Sequence, residues 1–152
     1  MSTPSNHIDT ADPFCLSRFT GAQENVYQQV LTELEQGRKR THWIWYIFPQ
    51  IDGLGHSGMA ERYAIKSLDE ARAYLRHPVL GARLTECTEK VIAIDGKSVA
   101  DIFGYPDELK FRSCMTLFSC IAGPEPVFSA ALAKYFDGEK DAMTLALLGE
   151  TG

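Results

Sequence analysis

Apolar residues along this chain recur at three- and four-residue spacing and seldom alternate, which predicts helices and not strands. Val26, Tyr27, Val30, Leu31 and Leu34 form one stripe of a helix expected over residues 22–36, and Gly37 offers a left-handed stop. Ser57 suits the N-cap of a helix running to about Lys66, with Met59, Ala60 and Tyr63 turned inward. Ser67 and Glu70 have capping-box spacing, and Leu68, Ala71 and Leu75 follow on one face. Pro78 fits the first turn of the next helix. Its stripe of Leu80, Leu84, Cys87, Val91 and Ile94 runs until Asp95-Gly96.

Ser98 starts a short turn that closes at Gly104, and Pro106 with Asp107 opens a helix that stops before Gly123-Pro124. Val127, Phe128, Ala131, Leu132, Tyr135 and Phe136 make another amphipathic helix, ended by Gly138. Asp141 caps a last one carrying Met143, Leu145 and Leu148. No long alternating run or Asn-Gly hairpin is present. The pattern therefore predicts an all-α (mostly α) fold: one compact domain over residues 11–152, with about seven or eight short helices in non-bundle packing. Residues 1–10 are polar, contain Pro4 and lack periodicity, and are expected to be a flexible tail.

One segment departs from this pattern. Thr41-His42-Trp43-Ile44-Trp45-Tyr46-Ile47-Phe48-Pro49-Gln50 holds both tryptophans and four of the sixteen aromatic residues within six positions. Its composition favours a strand, yet no partner strand is in sight. The expectation is a short helix or an irregular buried segment ended by Pro49. Trp43 and Trp45 are both candidates to stack a planar ring. Consecutive aromatics on a helical turn point in different directions, which favours one in the core and one on a cleft wall.

Composition narrows the function classes. The chain of 152 residues is 45% hydrophobic and 23% charged, with a formal net charge of −5. That balance argues against non-specific nucleic-acid binding, which needs a clustered basic surface. Arg38-Lys39-Arg40 is read as a solvated helix end, its cations favoured by the helix C-terminus. Cys15, Cys87, Cys114 and Cys120 form no CxxC pair and have no histidine at ligand spacing. They read as small buried hydrophobes in a reducing compartment, with no metal site expected. No signal-peptide pattern or bilayer-length apolar run is visible. A cytoplasmic protein with no membrane partner follows as the expectation, a monomer or weak homodimer.

Candidate chemistry lies in three places. Gly53-Leu54-Gly55-His56-Ser57-Gly58 lets the backbone approach a ligand closely, and the helix after it exposes amides that favour an anion. The loop is neither a Walker A motif nor a dinucleotide fingerprint, and a plain tight turn is the alternative. No cofactor motif is present. His42 and His56 flank the aromatic block and are the candidate general bases, while Gln50 could read an amide or base edge. Further on, Arg112 and Thr116 share one helix face, and Lys110 and Ser113 share another. A cation beside a hydroxyl suits phosphate or carboxylate recognition. The alternative is an exposed cation and a hydroxyl bonded to its own helix. Ser113 lacks an SxxK lysine or a GxSxG elbow, and Cys114 lacks an activating partner in sequence.

These residues also carry a resemblance. Asp12-Pro13-Phe14, Arg18-Phe19, Gln23, His42-Trp43, Trp45 and Ile47-Phe48-Pro49-Gln50 resemble the bacterial uncharacterised-domain family numbered 1810, sometimes labelled calpastatin-like. The likeness continues through Gly53-Leu54-Gly55, Ser57, Tyr63, Glu70-Ala71, Tyr74-Leu75, His77-Pro78, Leu80-Gly81 and Arg83-Leu84. It ends with Asp107, Lys110, Ser113 and Met115-Thr116-Leu117-Phe118, and so covers nearly the whole chain. Ile44, Tyr46 and Cys114 stand where the family pattern has methionine, phenylalanine and serine. The resemblance implies a compact, largely helical fold and an association with ADP-ribose or NAD metabolism, but no established activity. The calpastatin label is a poor guide, because calpastatin inhibitory segments are disordered whereas this pattern is globular.

Two functions compete at this point. One is a binding protein or enzyme for a small anionic or nucleotide-like ligand, held in an aromatic and glycine-rich cleft. Its candidate residues are Trp43, Trp45, Gln50, Gly53, Gly55, Ser57, Lys110, Arg112, Ser113 and Thr116. The other is a protein or peptide interaction module that uses an exposed tryptophan block.

Overall fold

The computed structural model describes residues 12–122 and 126–149; the expected N-terminal tail lies outside them. Ten helices occur among the described residues, with no strand and one isolated parallel bridge between Ile51 and Ile65. In chain order they are α1 (Ser17–Gln23), α2 (Tyr27–Glu35), α3 (Ile44–Ile47), α4 (Gly58–Arg62) and α5 (Leu68–Arg76). Then follow α6 (Leu80–Ile92), α7 (Val99–Phe103), α8 (Asp107–Ser119), α9 (Val127–Phe136) and α10 (Ala142–Leu147). The mostly helical class agrees with the periodicity, but the count exceeds the expected seven or eight. The helix expected over 22–36 begins only at Tyr27, because a separate α1 precedes it. Asp12 starts that extra helix with its side chain, accepting from the amides of Leu16 (2.6 Å) and Ser17 (3.0 Å). Four-residue α3 is the other addition.

Helix ends follow the side chains that cap them. Ser57, Ser67, Ser98 and Asp141 each accept a hydrogen bond from the backbone amide three residues on. Ser98 and Asp101 complete a capping box. Glu70 does not close the equivalent box with Ser67. Its carboxylate accepts from the Lys66 amide (2.9 Å) and from the Arg18 guanidinium (2.6 Å). Gly37, at φ +77°, ends α2 in a Schellman turn, with the Arg38 amide on Glu33 O and its own amide on Leu34 O.

α8 is the central helix. Phe111, Cys114, Met115, Leu117 and Phe118 are all fully buried, together with Thr116, so its apolar surface runs most of the way round. α3, α5, α7, α9 and α10 pack on it, while α6 joins α2, α5 and α9 behind. The two halves of the core meet in rings: Phe48 sits edge-on to Phe111 (centroids 5.0 Å) and Phe103 stacks on Phe111 (4.7 Å).

The aromatic block is the hinge of this packing. α3 buries Ile44 and Ile47, and the residues flanking it bury Trp43 and Phe48. Trp45 and Tyr46 point the other way and stay partly exposed. Trp43 is 1% exposed, and its indole N–H donates to Glu33 at 2.9 Å. Glu33, itself fully buried, accepts also from the Gln29 side chain, the Arg40 amide, and both the amide and hydroxyl of Thr41. Burial opposes its ionisation. The Thr41 hydroxyl, the Arg40 amide, Gln29 and the Thr41 amide outweigh that and hold the carboxyl down to about 2.

The basic run is the solvated helix end expected only at Arg38 and Arg40, which are exposed. Lys39 is nearly buried, lies over the Trp43 ring (5.2 Å) and pairs with Asp107 at 2.7 Å, joining the aromatic block to the start of α8. The cysteines divide likewise: Cys87 and Cys114 are buried, but Cys15 is exposed. Burial pushes the Cys114 thiol far up and the Cys87 thiol to about 12, which leaves both inert as nucleophiles.

Candidate functional site

After Pro49 the chain runs beside residues 64–65. The Ile65 amide donates to Gln50 O and the Asp52 amide to Ile65 O, both at 2.8 Å. Arg18 fixes the far side of this junction. Its guanidinium donates to the carbonyls of Arg62 and Ala64 at 2.8 Å as well as to Glu70. The result is a firm wall carrying Gln50, Ile51, Tyr63 and Ala64. α8 and α10 form the opposite wall, and between the two lies a half-open cleft of about 270 Å³.

Its surfaces are mainly apolar. Trp45, Leu54 and Tyr63 line one side, and Pro106, Leu109 and Met143 the other. Tyr46 and Tyr63 pack ring to ring at 5.3 Å behind this aromatic side. The polar lining consists of Gln50, Lys110, Ser113 and Asp141. Ser113 Oγ donates to Leu109 O (3.1 Å), the helix-bonded alternative foreseen for this hydroxyl. Lys110 is a quarter exposed, and its partner Asp107 stands 3.8 Å away, held more closely by Lys39. The ammonium is therefore loosely held and open to a ligand. The Gln50 side-chain amide and the Trp45 indole N–H have no hydrogen-bond partner among the described residues.

The glycine loop borders the same space. Gly53 (φ +106°) needs its backbone conformation, and a Cβ there would press on Leu147 at 3.1 Å. A Cβ on Gly55 would meet Ala60 at 2.8 Å. Both glycines thus let the loop lie flat against α4 and α10. The amides of Gly53, Leu54 and Gly55 make no hydrogen bond to the described protein and are free to meet an acceptor.

Six of the expected site residues converge here: Trp45, Gln50, Gly53, Gly55, Lys110 and Ser113. Others do not. Trp43 belongs to the core, because Glu33 needs its indole N–H and Lys39 covers its face. Ser57 is spent as the cap of α4, accepting from the Ala60 amide at 3.1 Å. His42 and His56 are exposed and lie outside the cleft lining, which contains no histidine. Arg112 and Thr116 serve the opposite wall indirectly. Arg112 donates to Glu139 O (3.0 Å), and Thr116 Oγ accepts from the Asp141 amide (2.8 Å), so together they fix the turn into α10. Asp141, Tyr63 and Met143 are lining residues that the sequence did not single out as site residues. Asp141 was visible only as a helix cap, and no local pattern says that α10 folds back over residues 53–55.

Comparison with known proteins agrees with this architecture. The conserved hypothetical protein Rv1873 from Mycobacterium tuberculosis, seen in a crystal structure, is 53% identical to this chain with a TM-score of 0.90. The match covers 91% of this chain and 99% of the other. No curated protein matches. The family model described as protein of unknown function (DUF1810) matches residues 13–148, and the chain belongs to that family.

Proposed function

We propose that this protein binds a small anionic ligand with a planar ring, the class that includes nucleotides and their fragments, in the cleft between the Gln50–Gly55 loop and α8. The observation that carries the reading is the convergence of an open aromatic face, Trp45, with a loosely paired cation, Lys110, across one apolar hollow. The ring would lie against Trp45 and Tyr63, with Gln50 at its polar edge. The anion would meet Lys110 and the unbonded loop amides. At about 270 Å³ the hollow lies just below the roughly 300–1,000 Å³ typical of drug-sized ligands, so it holds one ring and one anionic group. Of an ADP-ribose-like molecule it would take one half.

The reading is binding: the lining supplies an aromatic face, a side-chain amide and a cation to hold a ligand, and contains no histidine or cysteine. A thermal-shift panel of AMP, ribose 5-phosphate, ADP-ribose and aromatic carboxylates tests the proposal. A ligand at a hundred times its Kd adds about 2.7 kcal/mol of stability. The shift is expected to vanish in Trp45→Ala and Lys110→Ala and to persist in His42→Ala. A shift untouched by the first two variants would move the site elsewhere.

One observation favours a second reading, a protein-interaction surface. Leu109 (45% exposed) and Met143 (58%) line the cleft, while Met59 and Tyr105 adjoin lining residues and Leu147 packs on Gly53. Of the six large apolar side chains exposed among the described residues, Leu109 and Met143 are the two that line the cleft. Such a patch suits an adaptable partner surface. It is not the exposed tryptophan block first considered, since Trp43, Ile44, Ile47 and Phe48 are buried.

A further inference from the structure

We infer that the ligand of this cleft is a zwitterion, an amino-acid-like molecule with a flat side chain, and not a phosphate ester. The inference rests on the cleft being a site for a ring-bearing ligand as proposed above, and changes that ligand's charge: its anionic group is balanced by an ammonium. Its basis is the presence of both Lys110 and Asp141 in one lining. Asp141 uses only one of its carboxylate oxygens in capping α10. Oδ2 accepts from the Thr144 amide at 2.9 Å and the Thr144 hydroxyl at 2.6 Å. Oδ1 accepts nothing among the described residues, and a carboxylate oxygen can only accept. A ligand ammonium satisfies it with a charge-assisted bond.

Charge counting decides against the phosphate. Of the residues that line the cleft, two are charged: Lys110 and Asp141. Asp107, the partner of Lys110 at 3.8 Å, is held by Lys39 at 2.7 Å, so the lining offers one loosely paired cation and one carboxylate. A phosphate monoester brings a charge of about −1.5 to −2 at neutral pH and would confront Asp141 with a single lysine to offset it. A ligand with one carboxylate and one ammonium adds no net charge and gives each wall its complement. The ring end of such a molecule has the Trp45 and Tyr63 side to lie on. A hollow of about 270 Å³ leaves room for little else.

Calorimetric titration of the full chain with an indole series separates the possibilities. L-tryptophan carries both charges, indole-3-propionate lacks the ammonium, indole-3-lactate replaces it with a hydroxyl, and tryptamine lacks the carboxylate. L-tryptophan is expected to bind at least about tenfold tighter than each of the other three, the size of one lost charge-assisted bond. Asp141→Asn keeps an acceptor oxygen for Thr144. It should erase the advantage of L-tryptophan over indole-3-propionate, weakening the first through loss of the ammonium's partner and not weakening the second, whose carboxylate no longer meets a like charge. Equal affinity for L-tryptophan and either carboxylate analogue in the wild-type protein would overturn the inference. So would binding of AMP with none of the indole series, an outcome that leaves the cleft as a ligand site. Failure of every compound, AMP included, would remove both readings.

Discussion

Glu33 shows how much one side chain can decide. A buried carboxylate without a cation is costly unless donors surround it, and here five hydrogen bonds do so, from four residues. They tie the end of α2 to Thr41 and Trp43, and so set where the aromatic block enters the core. Glu33→Ala strands those donors and is expected to cost about 3–5 kcal/mol in denaturant unfolding. The same group predicts a pH dependence. Its folded value, about 2, lies below the ordinary 4.5. Its contribution is therefore complete above pH 4.5 and is lost as the pH falls towards 2. Unfolding free energies measured from pH 6 to 2 should drop more steeply for wild type than for Glu33→Gln. Parallel curves would contradict the assignment. Gly81 makes a second point at this scale. A Cβ there would sit 2.0 Å from Leu75 O, a backbone atom with no freedom to move aside. Gly81→Ala should destabilise by roughly 1–3 kcal/mol, although alanine is the better helix former. A neutral or stabilising result in thermal melts would show that α5 and α6 can part without cost.

Among the elements, those with a side-chain cap and a long apolar stripe were legible. The stripe through Leu80, Leu84, Cys87 and Val91 became α6, and the caps Ser57 and Asp141 act as expected; Ser67 caps α5 without the box foreseen with Glu70, and Ser98 caps a helix where only a short turn was expected. α1 was not, because its N-cap position is Leu16 and the acceptor is Asp12, four residues back. The aromatic block was ambiguous for a physical reason. A single turn of helix has too few residues to show a period, and its direction is set by Glu33 and Lys39, which no local window connects to it. The site followed the same division. Trp45, Gln50, Lys110 and Ser113 announced themselves as unusual polar or aromatic choices, whereas Asp141 and Met143 arrive through the packing of α10 on α8. That packing hangs on Thr116. Thr116→Val removes the acceptor for the Asp141 amide at nearly constant volume, and should cost about 1 kcal/mol in unfolding. It should also weaken any cleft ligand, since the α10 wall is loosened. Unchanged affinity would show that this wall takes no part in binding.

At the scale of the whole molecule, α3, α5, α7, α9 and α10 pack on α8, which is buried from Ser113 to Phe118, and the cleft opens beside its more exposed first turn. No described helix is long and apolar enough to cross a membrane. The two tryptophans report on the two regions separately: Trp43 on the core, Trp45 on the cleft. Intrinsic fluorescence, titrated with the tightest non-indole hit of the thermal-shift panel, therefore tests the central claim most directly. The account predicts a saturable change in wild type that disappears in Trp45→Phe, with the Trp43 emission steady throughout. A full signal surviving in Trp45→Phe would contradict it.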